Sequence, residues 1–138
     1  MKYLLDTNVV SEIRKSNRNV HVKAWFDSTA GDDLYLSVLT VGEIRHGIER
    51  LRRRDPSQAV VFETWLAVLR RDFEQRVLSV TAEVADEWGR LGIPDPIPTV
   101  DGLLAATALT FGLTFVTRNV ADLSQTGVHL LNPFEPVG

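Results

Sequence analysis

The spacing of apolar and polar residues changes repeatedly along the chain, and these changes predict the order of the structural elements. Short apolar runs that end at polar residues indicate buried strands at KYLL, LYLSV, RVLSV, LTFVT and HLLNP. Between these runs, apolar residues recur every three or four positions, as they do along one face of a helix. Strands alternating with helices predict an α/β fold with a central, mostly parallel sheet flanked by helices.

Helical spacing marks six segments, and residues at their ends are typical of helix caps. The predicted helices are TNVVSEIRK, NVHVKAWFDS, TVGEIRHGIERL, the segment from DPSQ to Asp72, TAEVADEWGRLG and VDGLLAATALTFG. We expect Thr7 or Asn8 to cap the first helix, Asp55 the fourth and Thr81 the fifth. The connection IPDPIPT is too short to separate two domains, so we expect a single domain over residues 1–138.

The amino-acid composition excludes only a few classes of function. The formal net charge is −3, so the chain as a whole lacks the basic character typical of nucleic-acid binding. The chain has no cysteine, which excludes disulfides, zinc ribbons and thiol catalysis and fits the cytoplasm, where we expect the protein to act. No apolar run approaches the ~18 residues of a membrane span and no signal peptide is visible, so we expect no membrane association.

One segment departs from this charge balance. EIRHGIERLRRRD, residues 43–55, contains five arginines. Cations are favoured near the C-terminal end of a helix, so the first interpretation is a solvated helix end. The alternative is a local patch that contacts phosphate groups.

Acidic side chains recur where predicted strands end and helices begin. Asp6 directly follows the first strand, Glu43 and Asp101 lie in the first turns of two helices, and Asn119 and Asp122 follow the strand LTFVT. The carboxyl ends of parallel strands share one edge of a sheet, where ligands bind, so we expect these residues to meet. Each one taken singly has a second interpretation as a helix cap or a residue favoured by the helix dipole.

Several carboxylates at one edge repel each other, and a divalent cation offsets that cost. Oxygen ligands without cysteine favour Mg²⁺, and the three histidines have no zinc-ligand spacing. Neither a G-x-S-x-G motif nor a P-loop is present. Mg²⁺ held by carboxylates alone is typical of phosphoryl transfer and phosphodiester hydrolysis.

The segments LLDTNVVSE, LSVLTVGEIRHGI, TVDGLLAATAL and LTFVTRNVADL resemble the successive motifs of the PIN-domain ribonucleases. In particular, they resemble the VapC toxins of bacterial toxin–antitoxin pairs, in their FitB-like branch. The resemblance runs from Met1 to about Pro136. It implies a PIN fold with an acidic pocket that binds Mg²⁺ or Mn²⁺.

The resemblance also implies roles for the acidic residues. Asp6 and Asp101 would be the main metal ligands, with Glu43 completing the metal shell. Asn119 stands where the family has its fourth acid, so the chain offers an amide there, and Asp122 would supply the missing charge. We predict that replacing Asn119 with aspartate tightens metal binding.

Polar and basic neighbours would complete the implied site. Thr7, Asn8 and Thr117 would support the pocket by hydrogen bonds, and Arg118 or Arg45 would contact a phosphate. The implied activity is hydrolysis of RNA to products with 5′-phosphate and 3′-hydroxyl ends. The implied partners are a VapB-type antitoxin, operator DNA reached only through that antitoxin, and a second copy of the chain in a homodimer. A catalytically silent scaffold that binds RNA or a partner is the alternative, because Asn119 departs from the family pattern.

Overall fold

The computed structural model describes residues 1–136, and the predicted alternation of strands and helices is confirmed there. The five strands are β1 (Tyr3–Leu5), β2 (Leu34–Ser37), β3 (Val77–Leu78), β4 (Thr114–Val116) and β5 (Leu130–Leu131). The seven helices are α1 (Thr7–Arg14), α2 (Val20–Asp27), α3 (Val38–Arg52), α4 (Pro56–Asp72), α5 (Ala82–Arg90), α6 (Thr99–Phe111) and α7 (Val120–Leu123).

The strands form one parallel sheet in the order β3-β2-β1-β4-β5. Strand β1 lies at its centre and pairs with both β2 and β4, with Leu4 opposite Tyr35 on one side and Phe115 on the other. Because all the pairings are parallel, the carboxyl ends of the strands share one edge. The first residues of α1, α3 and α7 follow these strand ends closely, which brings widely separated parts of the chain together there.

Two apolar clusters cover the two faces of the sheet, because successive residues of a strand point to opposite sides. Leu5 belongs to the cluster that includes Trp25 and Ile48, whereas Leu4 belongs to the cluster that includes Leu104 and Phe115. Helix α6 was predicted to be deeply buried, and this is confirmed by its fully buried run from Leu104 to Ala108. This helix carries Asp101 in its first turn, so its packing fixes one of the candidate acids.

Two predicted boundaries were wrong for identifiable reasons. Asp6, and neither Thr7 nor Asn8, is the N-cap of α1, because its carboxylate accepts the backbone N–H of Thr7. Helix α3 begins at Val38, two residues before the predicted Thr40, since the Ser37 hydroxyl accepts the backbone N–H of Leu39 and caps the helix directly after β2. The predicted caps of α4 and α5, Asp55 and Thr81, are confirmed.

Other elements are shorter than predicted. Strand β3 contains only two of the five residues predicted in RVLSV, because it lies at the sheet edge and has β2 as its single neighbour. Helix α5 ends at Arg90, before Gly92, which adopts a positive φ of 75° in the turn that follows. None of the helices in residues 1–136 has the length and apolarity needed to cross a membrane.

Candidate active site

Asp6 lies at the centre of the sheet edge and is held by a set of hydrogen bonds. Its backbone N–H donates to the Val116 carbonyl of β4 over 2.9 Å. Its Oδ1 atom accepts the Thr7 backbone N–H at 2.7 Å, while Oδ2 accepts the Thr117 hydroxyl at 2.7 Å and the Asn8 side-chain amide at 3.3 Å. Asp6 is only 5% exposed, so these donors compensate for the water that it loses. The predicted supporting roles of Thr7, Asn8 and Thr117 around Asp6 match these contacts.

The Thr117 hydroxyl links the two sides of the site. It donates to Asp6 Oδ2 and accepts the backbone N–H of Asn119 at 3.0 Å. Because Thr117 is fully buried, its rotamer is fixed by these two bonds and by packing. The Asp6 carboxylate therefore has one defined orientation before any ligand binds.

Glu43 joins the same edge from α3. Its Oε1 atom accepts the Thr7 hydroxyl at 2.5 Å, and the Thr40 hydroxyl, fully buried one turn earlier, lies 3.4 Å from the Thr7 oxygen. Thr7 thus fixes Glu43 through its side chain and Asp6 through its backbone. The sequence analysis did not identify Thr40, because a buried threonine facing inward along a helix has no distinctive pattern.

Burial and neighbouring charges both act on the ionisation of Asp6 and Asp101. Burial is the main cause that raises the pKa of the Asp6 carboxyl, the Thr117 and Thr7 hydrogen bonds lower it, and the charges of Asp101 and Glu43 raise it further. Burial also raises the pKa of Asp101, with added repulsion from Glu43 and then Asp122, whereas the Asn119 side-chain amide lowers it. The structure therefore brings all five predicted site residues, Asn119 included, to one edge of the sheet.

The donor set fits a hard divalent cation, although no metal cage is preformed. Among residues 1–136, no three acidic or histidine side chains are close enough together to enclose an ion. Mg²⁺ does not need such a cage, since it keeps several waters and takes one or two carboxylates. Both lone-pair directions of Asp6 Oδ2 are occupied, whereas Oδ1 accepts one bond and keeps one direction free.

A second observation supports a polar ligand at this edge. The side-chain oxygen of Asn8 is buried and has no hydrogen-bond partner within the part of the chain that the structure describes. Its amide nitrogen donates to Asp6 Oδ2, so the unpartnered oxygen lies next to the candidate ligand carboxylate. A buried carbonyl oxygen without a donor is costly, and a hydrated cation nearby would supply donors through its waters.

The two arginines predicted to contact phosphate differ in their surroundings. Arg45 on α3 contacts Glu49 at 3.1 Å and Glu63 of α4 at 2.5 Å. Arg118 lies beside Thr117, and its guanidinium stacks 3.7 Å from the ring centroid of Phe134. The assignment of Arg45 to phosphate stays a prediction, but its charge is already balanced by two carboxylates.

The arginine-rich segment is thus partly a structural feature. Arg52 also contacts Glu49 and Glu63, so two arginines and two glutamates tie α3 to α4. These groups are exposed to solvent, so each such pair contributes little to stability. The interpretation as a solvated helix end therefore accounts for Arg45 and Arg52 within this segment.

An apolar groove runs from the acidic site between α1, α3 and α4. This cavity of about 390 Å³ begins at Thr7 and Glu43. Its walls are otherwise formed by Ser11, Arg14, Ile44, Gly47, Ile48, Leu51, Arg54, Gln58, Phe62 and Trp65. The Arg14 guanidinium lies over two aromatic rings of α4, 4.2 Å from the Phe62 centroid and 5.8 Å from that of Trp65.

A parallel α/β sheet with carboxylates that converge at its carboxyl edge defines a class of α/β proteins with an acidic pocket at the edge where ligands bind. Residues 3–127 match the family profile described as "PIN domain". The chain therefore belongs to the PIN domain family.

Individual relatives agree with this assignment. The chain is 34% identical to the plasmid stability protein StbB of Pseudomonas syringae, over 96% of this chain and 98% of the relative. It is 33% identical to toxin FitB of Neisseria gonorrhoeae, with coverages of 95% and 97%, and 32% identical to VapC ribonuclease Y4jK of Sinorhizobium fredii, with coverages of 96% and 98%.

Solved structures show the same fold. One, titled "Structure of FitAB bound to IR36 DNA fragment", superposes with a TM-score of 0.90 at 30% identity, covering 99% of this chain and 98% of the other. FitAcB from Neisseria gonorrhoeae gives a TM-score of 0.85 at 33% identity, covering 96% and 99%. The fold implied by the four sequence motifs is thereby confirmed.

Proposed function

We propose that this chain is an Mg²⁺- or Mn²⁺-dependent endoribonuclease and the toxin of a toxin–antitoxin pair. The observation that carries this proposal is the convergence of Asp6, Glu43, Asp101 and Asp122 at one sheet edge, where burial first and neighbouring carboxylates second raise the pKa of Asp6 and that of Asp101. A protein that only needed stability would not keep repelling carboxylates there. Relatives named ribonuclease and toxin support the same activity.

The residues of the pocket would divide the work by position. A divalent cation, when bound, would supply positive charge for the scissile phosphate and would activate water for in-line attack. Asp6 and Asp101 would hold that cation, and Asp6 would offer its Oδ1 atom because its Oδ2 atom already accepts two hydrogen bonds. Glu43, oriented by Thr7, would complete the ligand set directly or through a water. Asn119 orients Thr117 through its backbone and lowers the proton affinity of Asp101 through its amide.

The silent scaffold stays as the second candidate, since Asn119 contributes no charge. Two contacts weigh against it: the Thr117 hydroxyl donates to Asp6 and the Thr7 hydroxyl donates to Glu43, so both carboxylates are held in defined orientations. Carboxylates oriented by hydrogen bonds are typical of metal ligands. A scaffold would have no need for this arrangement.

The ends of the RNA products test the proposed reaction. Purified protein is incubated with total cellular RNA and Mg²⁺, and the fragments are ligated to adaptors with and without prior kinase treatment. We expect discrete cuts with 5′-phosphate ends that ligate directly. Fragments with 5′-hydroxyl ends would contradict the proposed reaction, in which the 3′ oxygen is the leaving group, and absence of any cut with both Mg²⁺ and Mn²⁺ would favour the scaffold.

Thr117→Val should lower the rate of RNA cleavage by about 10- to 100-fold, as loss of a hydrogen bond to a metal ligand typically does. The substitution removes the donor to Asp6 Oδ2 and the acceptor for Asn119 N–H without changing the size of the side chain much. Thr117→Ser is the matched control, because it keeps the hydroxyl and should stay within a few-fold of wild type. Equal rates for the valine and serine variants would show that Thr117 does not orient Asp6 for catalysis.

The apolar groove suits the antitoxin. We propose that a segment of a VapB-type antitoxin lies in this groove, with apolar side chains against Ile48, Phe62 and Trp65 and its end near Glu43. The solved FitAB and FitAcB structures support such a partner, and the DNA named with FitAB supports operator binding by the whole complex. Helix α3 would then connect the inhibitor groove with the acidic site.

Gly47→Ala tests the groove and the helix together. A methyl group at Gly47 meets nothing within 4 Å, so the change from glycine to alanine inside α3 should raise the free energy of unfolding by up to about 1 kcal/mol. The same methyl projects into the groove and should weaken antitoxin binding.

Gly89→Ala in α5, where the space is also open, is the control that should leave antitoxin affinity unchanged. Urea denaturation and calorimetric titration with the antitoxin measure the two effects, and unaltered affinity of Gly47→Ala would argue against the groove.

A further inference from the structure

Arg118 is held at the rim of the acidic pocket by its two neighbours in the chain. Thr117, which precedes Arg118, donates its hydroxyl to Asp6. Asn119, which follows Arg118, donates its backbone N–H to Thr117, and its side-chain amide lowers the pKa of Asp101. The residues on both sides of Arg118 therefore contact Asp6 and Asp101, the two main candidate metal ligands. Its side chain, in contrast, is exposed.

Phe134 approaches Arg118 from the segment that follows β5. This strand is bound to β4, and the Thr117 backbone N–H donates to the Leu131 carbonyl at 2.9 Å. Three residues later the Phe134 N–H donates to the Asn132 side-chain oxygen at 3.0 Å, which forms a turn. Phe134 also packs on the apolar cluster that includes Leu5, so its ring has a fixed position.

The guanidinium lies over this ring at 3.7 Å from its centroid. The contact covers part of the cation and removes part of its rotamer freedom, while Arg118 stays exposed and its N–H groups can still bind a ligand. No carboxylate within residues 1–136 forms an ion pair with Arg118. Glu12 interacts with Arg118 only through longer-range electrostatics. The Glu12 carboxylate oxygens instead accept hydrogen bonds from Lys15 Nζ at 3.1 Å and from the Asn19 backbone N–H at 2.8 Å.

The other candidate cations near the site are engaged in different ways. Arg45 contacts Glu49 and Glu63, and Arg14 lies over the rings of Phe62 and Trp65 in the groove. An RNA chain approaching four carboxylates is repelled unless fixed positive charge lies nearby. A preoriented, exposed guanidinium at the rim provides that charge and matches the two oxygens of a phosphate.

We infer that Arg118 and Phe134 form a stacked clamp in which Phe134 positions the Arg118 guanidinium to bind an RNA phosphate next to the one that is cleaved. This inference rests on the proposed ribonuclease function. Arg118 is the residue that contacts the substrate, whereas Phe134 is a positioning residue that acts through it. The clamp thus assigns a binding role to the C-terminal segment, which carries none of the acidic residues of the pocket.

RNA binding and its salt dependence test the clamp. All variants are made in full-length Asp101→Asn protein, which should not cut, and the probe is a fluorescein-labelled single-stranded RNA of 20 nucleotides and mixed sequence. Fluorescence anisotropy gives Kd at several salt concentrations. Arg118→Gln should weaken binding about tenfold and lower the salt slope by about 0.7, the value for one lost phosphate contact on a single strand.

Further variants separate positioning from a general loss of charge. Phe134→Leu should weaken binding several-fold with little change in the salt slope, because the charge stays but is no longer fixed, and Phe134→Tyr should restore affinity. Lys23→Gln removes an equal charge from α2, where Lys23 pairs with Asp27, and should leave Kd unchanged. In otherwise wild-type protein, Arg118→Gln should raise KM more than it lowers kcat.

Two results would overturn the clamp. One is an Arg118→Gln variant whose Kd and salt slope equal those of Lys23→Gln; the other is an unchanged Kd for Phe134→Leu. If the wild-type protein still cuts cellular RNA in the presence of Mg²⁺, these results reject the clamp and leave the ribonuclease function standing. If the Asp101→Asn parent does not bind the probe and the wild-type protein does not cut cellular RNA, the function and the clamp are both rejected.

Discussion

Asp101→Asn is expected to lower kcat for RNA cleavage by about 10³-fold or more, while the protein still folds. The substitution keeps the size of the side chain and removes a charge that the pocket needs to hold a divalent cation. It also removes repulsion from Glu43 and Asp122, so the variant should be at least as stable as wild type in the absence of metal. Steady-state cleavage of a mapped RNA substrate and urea denaturation measure the two effects.

Asp86→Asn is the matched control for this prediction. Asp86 lies exposed on α5, where it pairs with Arg90, so its loss changes the net charge equally without touching the pocket. We expect wild-type kcat for this variant. Cleavage by Asp101→Asn at the rate of Asp86→Asn would remove Asp101 from the active site.

The second large effect is stabilisation by Mg²⁺. At a free Mg²⁺ concentration 100 times its Kd, the free energy of unfolding should rise by about 2.7 kcal/mol, equivalent to roughly 8 °C in Tm for a chain of this size. The cation would bind the ionised carboxylates of the folded protein and would find no such cluster in the unfolded chain. Thermal unfolding with Mg²⁺ and with EDTA measures the difference.

The pH dependence of this stabilisation has a defined sign. The pKa of Asp6 and that of Asp101 are raised in the folded state, so without metal the folded protein binds more protons than the unfolded one above about pH 3.8. These two groups therefore make the metal-free protein less stable as pH rises from 3.8 through their raised pKa values. Stabilisation by Mg²⁺ should have the opposite pH dependence. It should increase with pH as the carboxylates ionise and should disappear in acid.

Asp101→Asn is also informative in this experiment. Its stability advantage over metal-free wild type should be absent below pH 3.8 and should appear as pH rises. Its response to Mg²⁺ should be much smaller than that of wild type. A Tm that is equally raised by Mg²⁺ in both proteins would mean that the cation acts elsewhere on the molecule.

The position of Asp6 could be predicted from the sequence, because an apolar run that ends in a carboxylate marks both a strand and its end. The same reasoning placed Glu43, Asp101 and Asn119 at the carboxyl edge of the sheet. This reasoning is general, because the carboxyl ends of all strands in a parallel sheet lie at the same edge. The meeting of Asp6 with Thr117, 111 residues away in the chain, needed only that rule and a correct order of elements.

The start of α3 could not be predicted, because Val38 and Leu39 suit a strand as well as a helix. The choice depends on one local contact, the bond from Leu39 N–H to the Ser37 hydroxyl. Capping by Asp6 was similarly only a second interpretation, since Thr7 and Asn8 are equally good capping residues on composition alone. Such boundaries depend on side-chain geometry that the apolar spacing does not contain.

The groove and the clamp depend on contacts between distant segments that have no sequence pattern. Arg14 meets Phe62 and Trp65 only because α1 and α4 lie on the same side of the sheet. Arg118 meets Phe134 only because β5 pairs with β4. Two arginines that look alike in the sequence, Arg45 and Arg118, thereby acquire different surroundings, one ion-paired and one stacked and exposed.

The most direct test of the central claim is the metal requirement of cleavage in a single preparation of wild-type protein. RNA cleavage is followed first with EDTA, and then after Mg²⁺ or Mn²⁺ is added in excess over the chelator. The proposed site predicts no cleavage in EDTA and full recovery with either ion, at the same positions in the RNA. Cleavage that continues unchanged in EDTA would contradict a carboxylate-held divalent cation as the centre of the activity.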